Sequence, residues 1–194
     1  LHGPGDQIAT VYFPITALIG LSKETSEGLA MDTAIIGSEA MVGLRGLIGP
    51  SVHRVTVSST GSAYKMPITS LRHFFYTDGA ISQMCWQAAD RISQMTVAES
   101  ACSRFHSIDQ RIAKWLLTRL ERTGLQLIEA THQFIGDSLG VRRESVTTAL
   151  KKLSCISTHR GAINVLNQAK LEKVSCECYA IEREMRTKQL QLPR

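Results

Sequence analysis

Apolar residues along this chain change their spacing once, near residue 80, and the change separates two textures. Before it, short β-prone runs at 11–14, 16–21, 29–36, 54–59 and 63–66 are broken by turn residues: Lys23-Glu-Thr-Ser-Glu-Gly28, Gly37-Ser-Glu and Thr60-Gly61. Several short strands at this spacing predict a compact antiparallel roll or sandwich. Residues 41–48 read as one helical turn within it. Pro67 suits a helix start and opens a helix over 68–75, closed by Tyr76-Thr-Asp-Gly79. From Ala80 onward neither Gly nor Pro occurs before Gly124. Apolar residues there recur every three or four positions, which predicts a long helix that bends near His106-Ser107 and continues over 108–120. The spacing is close to 3.5 residues, the seam of a two-stranded coiled coil. Ile81, Met84, Ala88, Ile92, Met95, Cys102 and Phe105 are therefore the expected dimer seam; the alternative is a face packed on its own domain.

Residues 131–153 read as two short helices meeting at Gly140. Ile135, Leu139, Val141, Val146 and Ala149 fall where a helix-turn-helix needs apolar residues for its small core. Gly136 sits where the helices approach closely. Gly140 supplies a tight turn with positive φ, which costs any residue carrying a Cβ. The second helix then presents Arg142, Arg143, Glu144, Thr147, Thr148 and Lys151. Such a unit can lay its second helix in the major groove of DNA. An ordinary helical hairpin with a solvated polar face is the plain alternative, but it does not require all seven small and apolar positions to be met at once. Beyond it, Arg160-Gly161 followed by 162–166 reads as a β-hairpin wing. Asn167 caps a final amphipathic helix with Leu171, Val174, Cys178, Ile181 and Met185 on one face.

Composition narrows the class. The 194 residues are 43% apolar and 20% charged, as in a soluble globular protein with room for one large or two small cores. The best apolar run, 15–21, is too short for a membrane span, and no signal peptide is legible, so a cytoplasmic protein without membrane contact is expected. The opening Leu1-His-Gly-Pro-Gly-Asp6 suggests an N-terminal truncation. Charge is uneven: residues 1–103 carry six Lys/Arg against eight Asp/Glu, net −2, and residues 104–194 carry sixteen against nine, net +7. The half containing the helix-turn-helix is thus the half that a phosphate backbone attracts.

Five cysteines, odd in number and scattered, suit a reducing compartment. Cys176-Glu-Cys178 is the one close pair, and without a neighbouring His or further Cys it falls short of a zinc or iron–sulfur set. No metal and no other cofactor is expected. No phosphate loop, His-Glu-x-x-His, Gly-x-Ser-x-Gly or Cys-x-x-Cys occurs, and Gly43-Leu-Arg-Gly-Leu-Ile-Gly49 has the wrong spacing for a dinucleotide fingerprint. His106 near Asp109 reads as a polar contact at the helix bend rather than a general base, and Cys102 reads as packing. A non-enzymatic protein is expected.

Roll, long helix, helix-turn-helix and wing in that order resemble the Crp/Fnr family of bacterial transcription regulators. The pieces that carry the resemblance are Val11-Tyr-Phe-Pro14, Gly37-Ser-Glu-Ala-Met-Val-Gly43, Arg104-Phe-His-Ser-Ile-Asp-Gln-Arg-Ile-Ala-Lys-Trp-Leu-Leu117, Leu139-Gly-Val-Arg-Arg-Glu-Ser-Val-Thr147 and Cys176-Glu-Cys-Tyr179. The resemblance implies an α+β chain in three parts. An N-terminal antiparallel β-roll like those that bind cyclic nucleotides covers 1–77, a dimerisation helix and connection 78–123, and a winged helix-turn-helix with a C-terminal helix 124–194. It implies a homodimer reading pseudo-palindromic double-stranded DNA, a small-molecule effector in the roll, and RNA polymerase as a further partner.

Residue by residue, Arg143 matches the family's guanine-reading arginine, whose planar fork can bond O6 and N7 together. Glu144 matches the glutamate that accepts from a cytosine amino group. Thr148 lies one turn further on the same face, where the best-known members carry arginine. Thr131, Gln133, Arg142, Ser145 and Lys151 match or adjoin phosphate-contacting positions, which set register rather than sequence, and Arg160 joins them from the wing. Two departures stand out. The connection between Leu153 and Arg160 is shorter than the family pattern and lacks its Gly turn, so the wing is expected to sit differently. In the effector pocket, represented here by Gly43, Leu44 and Arg54, Leu44 replaces the family's ribose-binding glutamate, and only Arg54 remains to meet a phosphate. Loss of cyclic-nucleotide binding is the expectation. The competing functional reading is an effector-binding or protein-interaction module whose helix-turn-helix no longer binds DNA specifically.

Overall fold

The computed structural model describes residues 1–190, and the chain forms two compact units. The first comprises residues 1–24 and 32–99; the second comprises residues 25–31 and the chain from Ser100 onward. The architecture is α+β, with antiparallel strands first and the helix-turn-helix in the C-terminal part, followed by a β-hairpin and two helices.

In the first unit, β1 (Thr10–Pro14) pairs antiparallel with β5 (Ala63–Pro67), Val11 facing Met66 across the ladder. A second sheet has the order β3-β2-β4, from β2 (Leu18–Glu24), β3 (Ala30–Ile36) and β4 (Arg54–Ser59). The strand β2 runs on through Lys23 and Glu24, where turn residues were expected. The register explains this. Ser22 lies opposite Arg54, and Arg54 Nη2 reaches Glu24 Oε2 at 2.6 Å, a cross-strand charge pair that supports the extension. A 3₁₀ turn over Leu44–Leu47 follows Gly43, within the predicted helical stretch. Two apolar clusters fill this unit, one around Val11, Met41, Ile68 and Leu71 and the other around Ile19, Ile36, Val42 and Val55.

Helix α1 (Ile68–Thr77) starts directly after Pro67, and α2 (Gly79–Phe105) follows. The apolar stripe of α2 divides between its own unit and solvent. Ile81 and Ala88 pack into the first cluster, and Ile92 and Met95 pack against the second. These four expected seam residues therefore face their own unit. A period shows that one side of a helix is apolar and cannot say what that side faces. Met84 and Phe105 are 51% and 79% exposed, and Trp86 and Val97, which the period did not select, are each 67% exposed.

The second unit begins at the end of α2. The chain breaks at His106-Ser107, as expected, and Ser107 forms a reciprocal capping box with Gln110 at the start of α3 (Ile108–Thr123). Then come β6 (Leu127–Glu129), α4 (His132–Leu139), α5 (Arg143–Lys152), β7 (Ile156–His159), β8 (Ala162–Val165), α6 (Gln168–Val174) and α7 (Glu177–Leu190). The strands form an antiparallel sheet in the order β6-β8-β7. One core joins Leu116 and Ile112 of α3 to Ile135, Leu139, Val146, Leu150, Ile163 and Leu171. Asn167 caps α6 as predicted, its side chain accepting from Lys170 N–H at 2.9 Å. The single final helix, however, is two. The chain turns extended at Ser175 and drives Cys176 inward to 3% exposure before α7 starts. Ile181, placed on the apolar face by the periodicity, is 51% exposed, because the break resets the helical phase. Among the described residues no helix is long and apolar enough to cross a membrane.

Candidate nucleic-acid interface

Local chemistry fixes the angle between α4 and α5. Thr131 caps α4, its hydroxyl oxygen accepting Phe134 N–H at 3.1 Å. Gly140 ends α4 with φ 66°, the left-handed region that favours glycine. A Cβ on Gly136 would lie 2.7 Å from the carbonyl oxygen of Val141, so the close crossing expected there is real. Arg111 of α3 donates from Nη2 to the carbonyl of Leu139 at 2.6 Å, satisfying a C-terminal carbonyl of α4 from inside the core. Arg119, 2% exposed, lays its guanidinium 3.3 Å from the ring centre of Trp115 and so stiffens α3 behind the motif. His132 Nδ1 and Thr147 Oγ1 stand 2.9 Å apart and tie the two helices together, a contact that sequence reading assigned to neither residue.

Every residue carried over as a DNA contact lies in this unit. Arg142, Arg143, Glu144, Thr148, Lys151, Thr131, Gln133 and Arg160 are exposed or half-buried, as is Ser145. Arg143 and Glu144 begin α5, with Arg142 at its N-cap, so three charged side chains stand together at one end of the helix. Among the described residues no acid pairs with the guanidinium of Arg142 or Arg143. Thr148 is partly committed, its hydroxyl donating to the Glu144 carbonyl at 2.9 Å. Gln133 donates from Nε2 to Asp137 Oδ1 at 2.7 Å. Lys152 turns back to Asp109 at 2.9 Å, which separates it from its exposed neighbour Lys151. Arg160 and Gly161, the latter at φ 76°, make the turn between β7 and β8. The short connection after Leu153 thus forms β7 directly, without a glycine turn before it.

The first unit contains a cavity of about 550 Å³ lined largely by apolar side chains. Gly43 and Leu44 line it; Arg54 does not, being held in the ion pair with Glu24. Sequence reading missed that Arg45, His2 and His53 line it too. Arg45 donates from Nε to the Pro50 carbonyl at 2.9 Å. Burial pulls the pKa of both histidines below the usual imidazole value, and Lys23 and Arg45 push His53 further the same way. Both imidazoles facing this cavity therefore favour the neutral form more strongly than a free histidine does.

A second chemical cluster lies in the second unit. Cys102 and His106, near the end of α2, meet Cys176 and Cys178, at the α6–α7 break. The Cys176 thiol is pulled down to about 6, chiefly by its hydrogen bond with Cys102 and then by the charge on His106, against the opposing effect of burial. Burial raises that of Cys178. Along the sequence Cys176-Glu-Cys178 has no His or further Cys beside it, and Cys102 sits in an apolar stripe. The two halves are more than seventy residues apart, and only the fold joins them.

Comparison with known proteins bears on both units. Residues 110–174 match the model of the Crp-like helix-turn-helix domain. No curated protein matches the chain. FixK2 from Bradyrhizobium japonicum superposes with a TM-score of 0.76 at 20% identity, covering 91% of this chain and 92% of that one. TTHB099, a CRP-family transcriptional regulator from Thermus thermophilus, gives 0.75 at 18% identity over 90% and 92%. The c-di-GMP-responsive regulator CLP from Xanthomonas campestris gives 0.66 at 17% identity over 86% and 89%. Residues 110–174 are a Crp-like helix-turn-helix domain, and the chain has the fold of CRP/FNR-family transcriptional regulators.

Proposed function

We propose that the protein is a transcriptional regulator that binds double-stranded DNA sequence-specifically, as a homodimer, through the major groove. The observation that carries this reading is the pair Arg143 and Glu144 on the exposed first turn of α5, within a Crp-like helix-turn-helix. Arg143 offers two parallel N–H donors to guanine O6 and N7, and Glu144 accepts from a cytosine amino group. Thr148 contributes to the same face one turn later. Thr131, Gln133, Arg142, Ser145, Lys151 and Arg160 contact phosphates and hold the register. For a second copy of the chain, the large apolar residues of α2 left exposed are Met84, Trp86, Val97 and Phe105. RNA polymerase is a further partner of a regulator of this kind.

The first unit, in this reading, takes a small effector other than a cyclic nucleotide. Leu44 gives a ribose hydroxyl no acceptor, and Arg54 is engaged with Glu24 outside the cavity lining. The apolar walls, with imidazoles that favour the neutral form, suit a mostly apolar molecule. Calorimetric titration with cAMP and cGMP is expected to give no heat of binding, and micromolar binding of either would overturn this part.

A mobility-shift assay tests the DNA reading. Retardation of duplex DNA that weakens steeply with salt and is lost in Arg143→Ala supports it. Indifference to both would favour an effector-binding or protein-interaction module whose helix-turn-helix has lost specific DNA binding.

A further inference from the structure

We propose that Cys102, His106, Cys176 and Cys178 bind one zinc ion in a closed, tetrahedral site with three thiolate ligands and one imidazole. Distance is the first argument. Cys102 Sγ lies 3.6 Å from Cys176 Sγ, and Cys178 Sγ lies 3.6 Å from His106 Nδ1. All four ligand atoms fall within 4.8 Å of one another. A tetrahedral zinc with Zn–S of about 2.3 Å and Zn–N of about 2.0–2.1 Å sets its ligand atoms roughly 3.5–3.8 Å apart. Two edges of that tetrahedron are therefore already at length, and no other needs to close by more than about 1.3 Å. The sulfur pair is far beyond the S–S bond length of about 2.05 Å, so a disulfide is not what holds it together.

The backbone supplies the ligands in a way that suits an ion. Cys102 lies in the last turn of α2 and His106 four residues on, so they stack one turn apart on the same side. Cys176 and Cys178 straddle the start of α7, and the break at Ser175 that interrupts the final helix is what turns both thiols toward α2. Cys102 and Cys176 are 0% and 3% exposed. Four protein ligands fill the coordination shell and leave no position for a substrate, which makes this a structural centre rather than a catalytic one.

His106 has the supporting partner that metal-bound imidazoles have. Its Nε2 is 3.0 Å from Glu177 Oε1, so a proton on Nε2 is held by the carboxylate and the Nδ1 lone pair faces the thiols. Soft sulfur and imidazole donors select zinc over magnesium, calcium or manganese. An iron–sulfur cluster spreads its cysteines over separate irons and needs ligand atoms further apart than these. On binding, each protonated thiol gives its proton to solvent and coordinates as thiolate. The ion would pin the α6–α7 junction to the α2–α3 junction by four coordinate bonds, in addition to the apolar packing of Leu171 and Tyr179 nearby. Nothing in this depends on DNA binding, and either reading can fail without the other.

The test uses the full chain, purified under reducing conditions, with elemental analysis followed by cobalt titration of the chelator-stripped protein. One zinc per chain is expected. Cobalt(II) should saturate at one equivalent, with thiolate charge-transfer bands and d–d bands of tetrahedral intensity, all bleached by zinc. Cys176→Ser and His106→Ala should lose the stoichiometric metal, whereas Cys85→Ala, altered in the other unit, should keep it. Because the cobalt spectrum is read on the unaltered chain, misfolding of a variant leaves the test intact. A stripped chain with its native circular dichroism that gives no cobalt bands overturns the proposal. So do iron with acid-labile sulfide, or a chain lighter by two protons that takes up no zinc.

Discussion

Arg143 and Lys151 stand on one helix and are both exposed, and in the proposed complex their chemistry suits them to different work. A guanidinium fork bonded to O6 and N7 discriminates one base, whereas an ammonium near a phosphate adds affinity without discrimination. Arg143→Ala should therefore cost about 1–3 kcal/mol on the preferred site and little on random DNA. Lys151→Ala should weaken both about equally and lower the salt slope by about one. Quantitative mobility shifts over a salt series would measure both, and equal losses on both DNAs for both variants would refute the division. Gly136→Ala brings a Cβ against the Val141 carbonyl and should destabilise the chain by about 1–3 kcal/mol in chemical denaturation. His53 gives a pH prediction. Its folded pKa is lowered, so the unfolded chain takes up the proton first, and stability falls as pH drops below about 6.5 toward the folded value. Thermal melts between pH 7.5 and 5.5 should show the decline, and His53→Gln should make it shallower, with His2 supplying the remainder. Gly136 and Gly140 were legible because their demands are local, between adjacent helices. Arg54 was not, because its partner Glu24 is set by a strand register that no local pattern encodes.

At the scale of elements, the strands of the first unit were largely legible, since turn residues bracket them, and the α2–α3 break falls at the expected bend near His106-Ser107, where the structure shows Ser107 and Gln110 forming a capping box. That capping box predicts that Ser107→Ala costs about 0.5–2 kcal/mol, seen as a lower unfolding midpoint at an unchanged denaturant slope. What the pattern leaves open is what each part of a face meets. The stripe on α2 has the spacing of a coiled-coil seam, but Ile81, Ala88, Ile92 and Met95 pack into the two clusters of their own unit. Period reports that one side of a helix is covered and stays silent on what covers it. The division of the C-terminal helix was hidden for a related reason. Cys176 turns inward toward residues more than seventy positions away, whereas residues 167–185 taken alone show only an unbroken amphipathic pattern.

For the whole molecule, the excess charge of residues 104–194 and the exposed residues of α2 lead to one linked expectation. A dimer doubles the number of phosphate contacts, so its DNA affinity should fall more steeply with salt than that of a monomeric variant. Placing glutamate at Trp86 and Val97 together should shift the mass in light scattering from twice the chain to one chain, with the circular dichroism unchanged. A variant that remains dimeric would move the subunit contact elsewhere.

The central claim is that the N-terminal end of α5 reads base edges, once from each of two subunits. Selection of bound duplexes from random DNA tests it most directly. The account predicts an enriched inverted repeat with half-sites about one helical turn apart, around 10 base pairs between centres, and a G·C pair in each half that loses its enrichment when Arg143 is replaced by alanine. Recovery of unenriched sequence, or of a motif unaffected by Arg143→Ala, would contradict it.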